Sequence, residues 1–579
     1  MMTSEMNKAI EMLSAGEVFT HGHLPVAAAY CRRLGVVDIV NRLVPSQMHL
    51  KPGLVVQAMV LDTLSGRTPL YRVEDFMAEQ DVELLLGMPV AATRFNDTNI
   101  ARSMDAIFEA GPSKIITELG IVASKTFSLD ATIPSYDTTS TSVWGDYRGC
   151  ESEQPPPGPV ITHGHSKDSL PQLKQFMTEL LCVDRGVPIF GATLDGNSSD
   201  KTSNNRILSR ISSIMARHGL GQGAFIYVAD SAMVTEKNLD ALGNNLFISR
   251  LPATYNECQR AVVRAVASDS WEDIGKLAEI PTGPNRPCAS YKISGTTITL
   301  YGKNYRAVVV HSSSHDKRRI KKLNKAIVDS EKTINAELAK LTTVYFCEAD
   351  AKAAAIQAES LSKKLHTVTA TITPIEVRKR GRPPTDCPAP TTTRYLLSWN
   401  LTLNPVAVDR EKSIAGCFVL LTNVPIDGGL KMSGKKLLQT YKGQYGVESD
   451  FAFLKDPLVV NDLFLKKPSR IDVLGMVLII ALMVWRLMER SMRVYLENDV
   501  KIDMPGWRRR RTRNPTSFMM ATMLIGIKVA YVNGQRIFIR KPTPKQMEFI
   551  TALGLDESVF LEPRCRCRVI IPRKLAKKG

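Results

Sequence analysis

Residues 224–230 read AFIYVAD. Six uncharged residues suited to a buried strand end in Asp230, and helix-like sequence follows. An acid at the carboxyl end of a strand in an open α/β sheet lies at the crevice where ligands bind. Upstream, VPIFGATLDG (187–196) is a second short apolar run, and helical segments lie between and after the two. Strands alternating with helices imply an α/β sheet. Further upstream, TFSLDATIPSY (126–136) and DTTSTSVWGDY (137–147) show a period of two and are rich in Thr, Val and aromatics, so both are expected to be strands. ESEQPPPGP (151–159) is expected to be a loop.

On the N-terminal side of this core the pattern is helical. LPVAAAYCRRLG (24–35), GLVVQAMVLDTLSG (53–66), VEDFMAEQDVELLLG (73–87) and DTNIARSMDAIFEAG (97–111) read as helices. Gly35, Gly66, Gly87 and Gly111 stand where helices should stop. On the C-terminal side, SYKISGTTITLYGKNYRAVVVHSSS (290–314) reads as two or three antiparallel strands. A long charged helix is expected from about Asp316 to Lys340, another over 349–365, a strand over 366–377 and a buried strand in GCFVLLTNVP (416–425). The expected division is a helical domain over 1–115, an α/β core over 121–250 and 426–490, a largely β insertion over 251–425, and a basic region over 491–579.

The chain has 579 residues, enough for about four domains. Its net charge of +18 points to a polyanionic partner, of which nucleic acid is the commonest. Positive charge is concentrated in HDKRRIKKLNK (315–325), RKRGRPP (378–384) and WRRRRTRN (507–514). The first suits a solvated helix face. The last suits one less well, because crowded arginines repel without an anionic partner. The N-terminal segment shows no signal-peptide pattern. The longest uncharged apolar run, Val473 to Trp485, is too short to span a bilayer and reads as a core helix. The expectation is a cytoplasmic protein without a membrane partner. Its ten cysteines are scattered apart from Cys565 and Cys567, which suits reduced thiols. Cys565 with Cys567, and His311 with His315, are weak metal-site signals without a second ligand pair.

The segment YKGQYGVESDFAFLKDP (441–457) carries a different signal. At about 100° per residue, a helix would set Tyr441, Gln444, Glu448 and Lys455 on one narrow stripe. The neighbours on that stripe are not mainly apolar. With Glu448, two further acids stand where chemistry would want them: Asp230, and Asp137 at the start of DTTSTSVWGDY. Three carboxylates from distant segments suit a hard divalent ion. Two such ions about 4 Å apart support phosphoryl transfer. On the residues alone Asp130 competes with Asp137 and Asp195 with Asp230, and an acid after a strand is more often a helix cap than a metal ligand.

The same segment resembles the signature Tyr-x2-Arg-x3-Glu-x6-Lys of the DDE insertion-sequence transposases of the insertion-sequence-four superfamily type. Tyr441, Glu448 and Lys455 match at the family spacing, and Gln444 stands in place of the arginine. DTTSTSVWGDY is similar to the family's first-acid strand and YVADSAMVTEKNL (227–239) to its second-acid segment, which favours Asp137 and Asp230. HGHSKDSLPQLKQ (163–175) and GNSSD (196–200) resemble landmarks between them, and the likeness runs from about residue 20 to about 490.

The resemblance implies an α/β fold with an RNase H-like catalytic core, its first two acids on adjacent strands, interrupted by a largely β insertion before the glutamate. It implies Asp137, Asp230 and Glu448 as catalytic and metal-binding residues with two Mg²⁺ or Mn²⁺ ions. It further implies cleavage at the terminal inverted repeats of a mobile element, joining of 3′-hydroxyls to target DNA, and a homodimer in the synaptic complex. Tyr441, Gln444 and Lys455 would grip the DNA backbone. Lys442 could supply the charge that an amide at 444 cannot, and Ala452 sits where the resemblance implies an arginine or another polar DNA contact. Arg380 and Arg382, in an Arg-Gly-Arg-Pro sequence like the core of an AT-hook, are further DNA candidates. Trp144, Trp399 and Trp507 could stack on a base, Trp507 best because of its arginines. The alternatives are a nuclease of the same fold that hydrolyses without joining, and a catalytically inactive DNA-binding relative.

Overall fold

The computed structural model describes residues 17–66, 68–147, 149, 156–167, 170–278, 288–314, 317–378, 391–427, 429–443, 445–456 and 465–565, without the side chains at 317, 318, 445, 448 and 509. The chain is mixed α/β and divides into two compact units. The first comprises residues up to 249 together with 423–432 and everything from 437 onward; the second comprises 250–422 with 433–436.

The first unit opens with helices α1 (Leu24–Leu34), α2 (Pro52–Ser65), α3 (Asp97–Ala110) and α4 (Pro112–Phe127). Gly35, Gly66, Gly87 and Gly111 follow the last residues of their helices, each at positive φ. A side chain is disfavoured in that conformation, so the sequence marks these stops locally. The helices surround a later one, α8 (Pro468–Asn498), whose apolar stretch is buried between them and the sheet. By length and composition alone α8 could cross a membrane, but 83% of its most apolar window is buried inside the protein. It is a core helix, as its sequence suggested.

Five strands lie beside these helices: β1 (Ser135–Val143), β2 (Lys174–Val183), β3 (Val187–Leu194), β4 (Ile226–Ala229) and β5 (Leu246–Arg250). Their order is β3-β2-β1-β4-β5. The β1–β2 and β2–β3 pairs are antiparallel, whereas β1–β4 and β4–β5 are parallel. Helix α5 (Asp200–Arg217) joins β3 to β4. The expected strand over 126–136 is not formed. Thr126 and Phe127 complete α4, Asp130 folds a local turn by accepting the N–H of Thr132 at 3.0 Å, and the strand begins only at Ser135. Phe127 is fully buried, and its burial within the helix outweighs the β tendency of its neighbours.

The remaining C-terminal segments return to the N-terminal helices. Strand Lys528–Val532 pairs with Glu17–Thr20, and Arg536 forms an ion pair with Asp81.

The second unit contains four antiparallel strands in the order β11-β8-β7-β6, where β6 is Glu272–Lys276, β7 Ser290–Leu300, β8 Lys303–Ser312 and β11 Cys417–Thr422. Tyr301 and Gly302, both at positive φ, close the β7–β8 hairpin in two residues. A second hairpin pairs β9 (His366–Arg378) with β10 (Thr391–Leu403). The long charged helix spans Lys317–Leu338 and the next one Glu348–Ser360.

Candidate active site: a carboxylate pair on adjacent strands

Strands β1 and β4 run parallel, with Tyr136 opposite Ala229. Asp137 follows Tyr136 on β1 and Asp230 follows Ala229 at the end of β4, so the register brings the two acids side by side. Neither carboxylate has a salt-bridge partner among the described residues. Burial is the main force on both, and it disfavours the charged form. The carboxyl of Asp137 is pushed up to about 7, by burial first, with the negative charges of Asp230 and Asp200 adding to it. The ammonium of Lys167 and the N–H of Thr138, 2.7 Å from Asp137 Oδ1, act in the opposite direction. Asp230 is raised in the same sense, by burial and then by Asp200. It also caps a short turn, accepting the N–H of Ala232 at 3.1 Å.

The competing acids have local duties. Asp130 accepts the hydroxyl of Thr132 at 2.6 Å, and Asp195 accepts the N–H of Val160 at 2.8 Å.

Two residues that sequence reasoning passed over complete the surroundings. Lys167 Nζ donates to the carbonyl oxygen of Thr138 at 2.7 Å, to Thr138 Oγ1 at 3.1 Å and to Asp200 Oδ1 at 3.2 Å. The Thr138 hydroxyl donates to that same Asp200 oxygen. Both residues lie in the quoted landmarks, HGHSKDSLPQLKQ and GNSSD, so the signal was present without a role attached to it.

The 441–457 segment forms helices α6 (Gly434–Gly443) and α7 (Tyr445–Leu454). Tyr441 and Lys442 belong to α6, Glu448 belongs to α7, and Lys455 is the first residue beyond α7, its N–H on the carbonyl of Phe451 at 3.0 Å. Gln444, the side chain of Glu448, Arg380, Arg382, Cys567 and His315 lie outside the described residues.

Helix α7 is fastened by a buried charge. Asp450, fully buried, accepts Arg486 Nε of α8 at 2.5 Å and the thiol of Cys182 on β2 at 3.5 Å. Burial pushes its carboxyl up to about 7, against the pull of Arg486. Cys182 lies across from Ser135, two residues before Asp137, so this contact ties the segment bearing Glu448 to the strands bearing the acid pair.

Asp137 and Asp230 offer hard oxygen donors whose mutual repulsion a dication would relieve, so this pair fits Mg²⁺ or Mn²⁺ in chemistry. Among the described residues no three His, Cys, Asp or Glu side chains form a complete metal-ligand group.

The C-terminal arginines turn out to be partly matched. Arg511 pairs with Glu548 at 2.7 Å, and Arg513 donates to the carbonyls of Leu496, Val500 and Ile502 at 2.6–2.8 Å. Trp507 is half-exposed with its ring against Phe518, while Trp399 packs against the small apolar cluster of the second unit. His311 packs its ring against Trp271.

Residues 17–121, which include α1 to α3 and most of α4, match the model of a family described as a domain of unknown function (DUF4277). No curated protein matches the chain.

Proposed function

We propose that the chain is a DDE transposase, with an RNase H-like core in the first unit, that cuts DNA at the ends of a mobile element and joins the 3′-hydroxyl ends to target DNA. The observation that carries this reading is the juxtaposition of Asp137, on β1, and Asp230, immediately after the parallel strand β4, both half-buried and, among the described residues, without a guanidinium or ammonium bonded to either. The two acids come from the two segments that resemble the family's first and second acid motifs, and adjacency of those strands is what the resemblance implies. The spacing of Tyr441, Glu448 and Lys455 adds support.

In this reading Asp137, Asp230 and Glu448 would hold the metal. Bound there, Mg²⁺ or Mn²⁺ supplies charge stabilisation for an in-line phosphoryl transfer. The protein contributes fixed oxygen donors in a partly buried place, where electrostatic effects exceed those in water. Tyr441 and Lys455 contact the DNA backbone, and so does Gln444, as a neutral donor where relatives use arginine. The net charge of +18 favours polyanion binding. A homodimer handling two ends and a cytoplasmic location belong to the same reading.

The test uses DNA carrying the element ends, a target plasmid and Mg²⁺ or Mn²⁺. Joined products that disappear in Asp137→Asn, Asp230→Asn and Glu448→Gln, with end binding retained, support the proposal. Hydrolysis without joining would make the protein a nuclease. End binding without either reaction would make it a catalytically inactive relative.

A further inference from the structure

We propose that Lys167 is a built-in counter-cation of the carboxylate site, held so that Asp200 is kept out of the metal's ligand set. The inference rests on the metal-dependent reading above and concerns which carboxylates the site makes available.

Lys167 is fixed at both ends. Its backbone N–H bonds to Ser140 Oγ at 2.9 Å, three residues along β1 from Asp137. Its ammonium has three donors, and three acceptors stand within reach: the carbonyl and hydroxyl oxygens of Thr138, at 2.7 and 3.1 Å, and Asp200 Oδ1, at 3.2 Å. Thr138 is the residue after Asp137, so the lysine grips the strand immediately beside the first acid.

Asp200 is equally engaged. It opens α5, but the cap of that helix is Ser199, whose hydroxyl accepts the N–H of Thr202 at 3.2 Å. The carboxylate of Asp200 is thus not used as the cap, and it turns to Thr138 and Lys167. Its charge nevertheless acts on both Asp137 and Asp230, and the charge of Lys167 acts on both with the opposite sign. Three carboxylates and one ammonium therefore share one electrostatic neighbourhood. A dication entering between Asp137 and Asp230 meets the repulsion of Lys167 and finds Asp200 already bonded.

A lysine that merely fastened the 163–167 segment to β1 would leave metal affinity unchanged or lower it. A counter-cation makes the opposite demand. Removing it takes away a positive charge and releases a carboxylate, and both changes favour a dication. The probe is Mn²⁺ alone, titrated into the full chain and followed by the electron paramagnetic resonance of the free ion. Lys167→Met should bind Mn²⁺ about fivefold or more tighter than the unaltered protein. Asp200→Asn should bind it more weakly, because Lys167 then loses its partner. The double variant should return close to the starting affinity, and Lys167→Arg should remain close to it. Unchanged or weaker binding in Lys167→Met overturns the proposal. If that variant does not fold, unchanged or tighter binding in Asp200→Asn overturns it. Asp137→Asn separates the two layers. If it leaves Mn²⁺ binding intact, the carboxylate-pair reading falls and this inference with it. If it abolishes binding while Lys167→Met has no effect, only the role of Lys167 falls.

Discussion

Asp81 and Asp137 are both acids withdrawn from water within the first unit, yet they are treated in opposite ways. Asp81 is met by the guanidinium of Arg536, which donates from Nε to one carboxylate oxygen at 2.6 Å and from Nη2 to the other at 2.8 Å. The same arginine reaches Glu83 at 2.9 Å and lies over the ring of Tyr531. Asp184 and Asp450 are likewise matched, by Arg490 and Arg486. Asp137 and Asp230 have each other, a few N–H groups, and a lysine bonded to their neighbours. A forked guanidinium neutralises an acid while satisfying its lone pairs, which is how this fold treats acids it uses as fasteners. Among the described residues no cation is bonded to Asp137 on β1 or to Asp230 just past β4, at a cost in stability, and such an arrangement is expected where charge has work to do.

The comparison can be broken most sharply through activity. Asp230→Asn removes one of the unmatched charges and should reduce cleavage of end-containing DNA by about a thousandfold or more, with end binding retained in gel-shift assays. Retained cleavage would reduce Asp230 to the helix-cap role it also fills.

The matched acid should behave differently. Arg536→Ala leaves Asp81 buried without its partner, and breaking a buried pair costs about 3–5 kcal/mol. Denaturant unfolding should show that loss. Replacing both residues by apolar ones of similar size should recover much of it. If the single variant costs no more than an exposed pair would, Asp81 is not a fastener.

The pH dependence of stability sharpens the contrast. Asp137 ionises near pH 4 in the unfolded chain and near 7 in the folded one. Between these values unfolding releases a proton, so this residue's contribution to metal-free stability falls as pH rises from about 4 to about 7, then levels off. Asp137→Asn removes that loss. The variant should be no more stable than the unaltered protein near pH 4 and more stable at pH 8, by at most about 4 kcal/mol. A stability difference that does not change with pH would mean that Asp137 is compensated after all.

The smallest effect concerns position 444. If the stripe grips DNA, Gln444→Arg exchanges a neutral donor for a charged, bidentate one and should tighten end binding by about tenfold at most. An unchanged affinity would leave Glu448 as the functional residue of that segment.

Local sequence pattern determined a good deal of this protein. Glycines marked four helix ends because only they take positive φ without penalty, and the apolar run at 473–485 marked a core helix. The apolar run closed by Asp230 marked a strand with an acid at its end. These features depend on residues a few positions apart, where spacing and side-chain type fix backbone conformation. The same local logic failed at 126–136, where the period of two was real but burial of Phe127 extended the helix. What the tertiary structure decided is which charges meet. Arg536 finds Asp81 across 455 positions, Arg486 finds Asp450, and Lys167 finds Asp200. The register of Tyr136 against Ala229 turns two separate aspartates into a pair. No periodicity encodes such meetings, because they depend on strand order and on how the helices pack, and electrostatic energy depends on distance through space and on burial, not on separation along the chain.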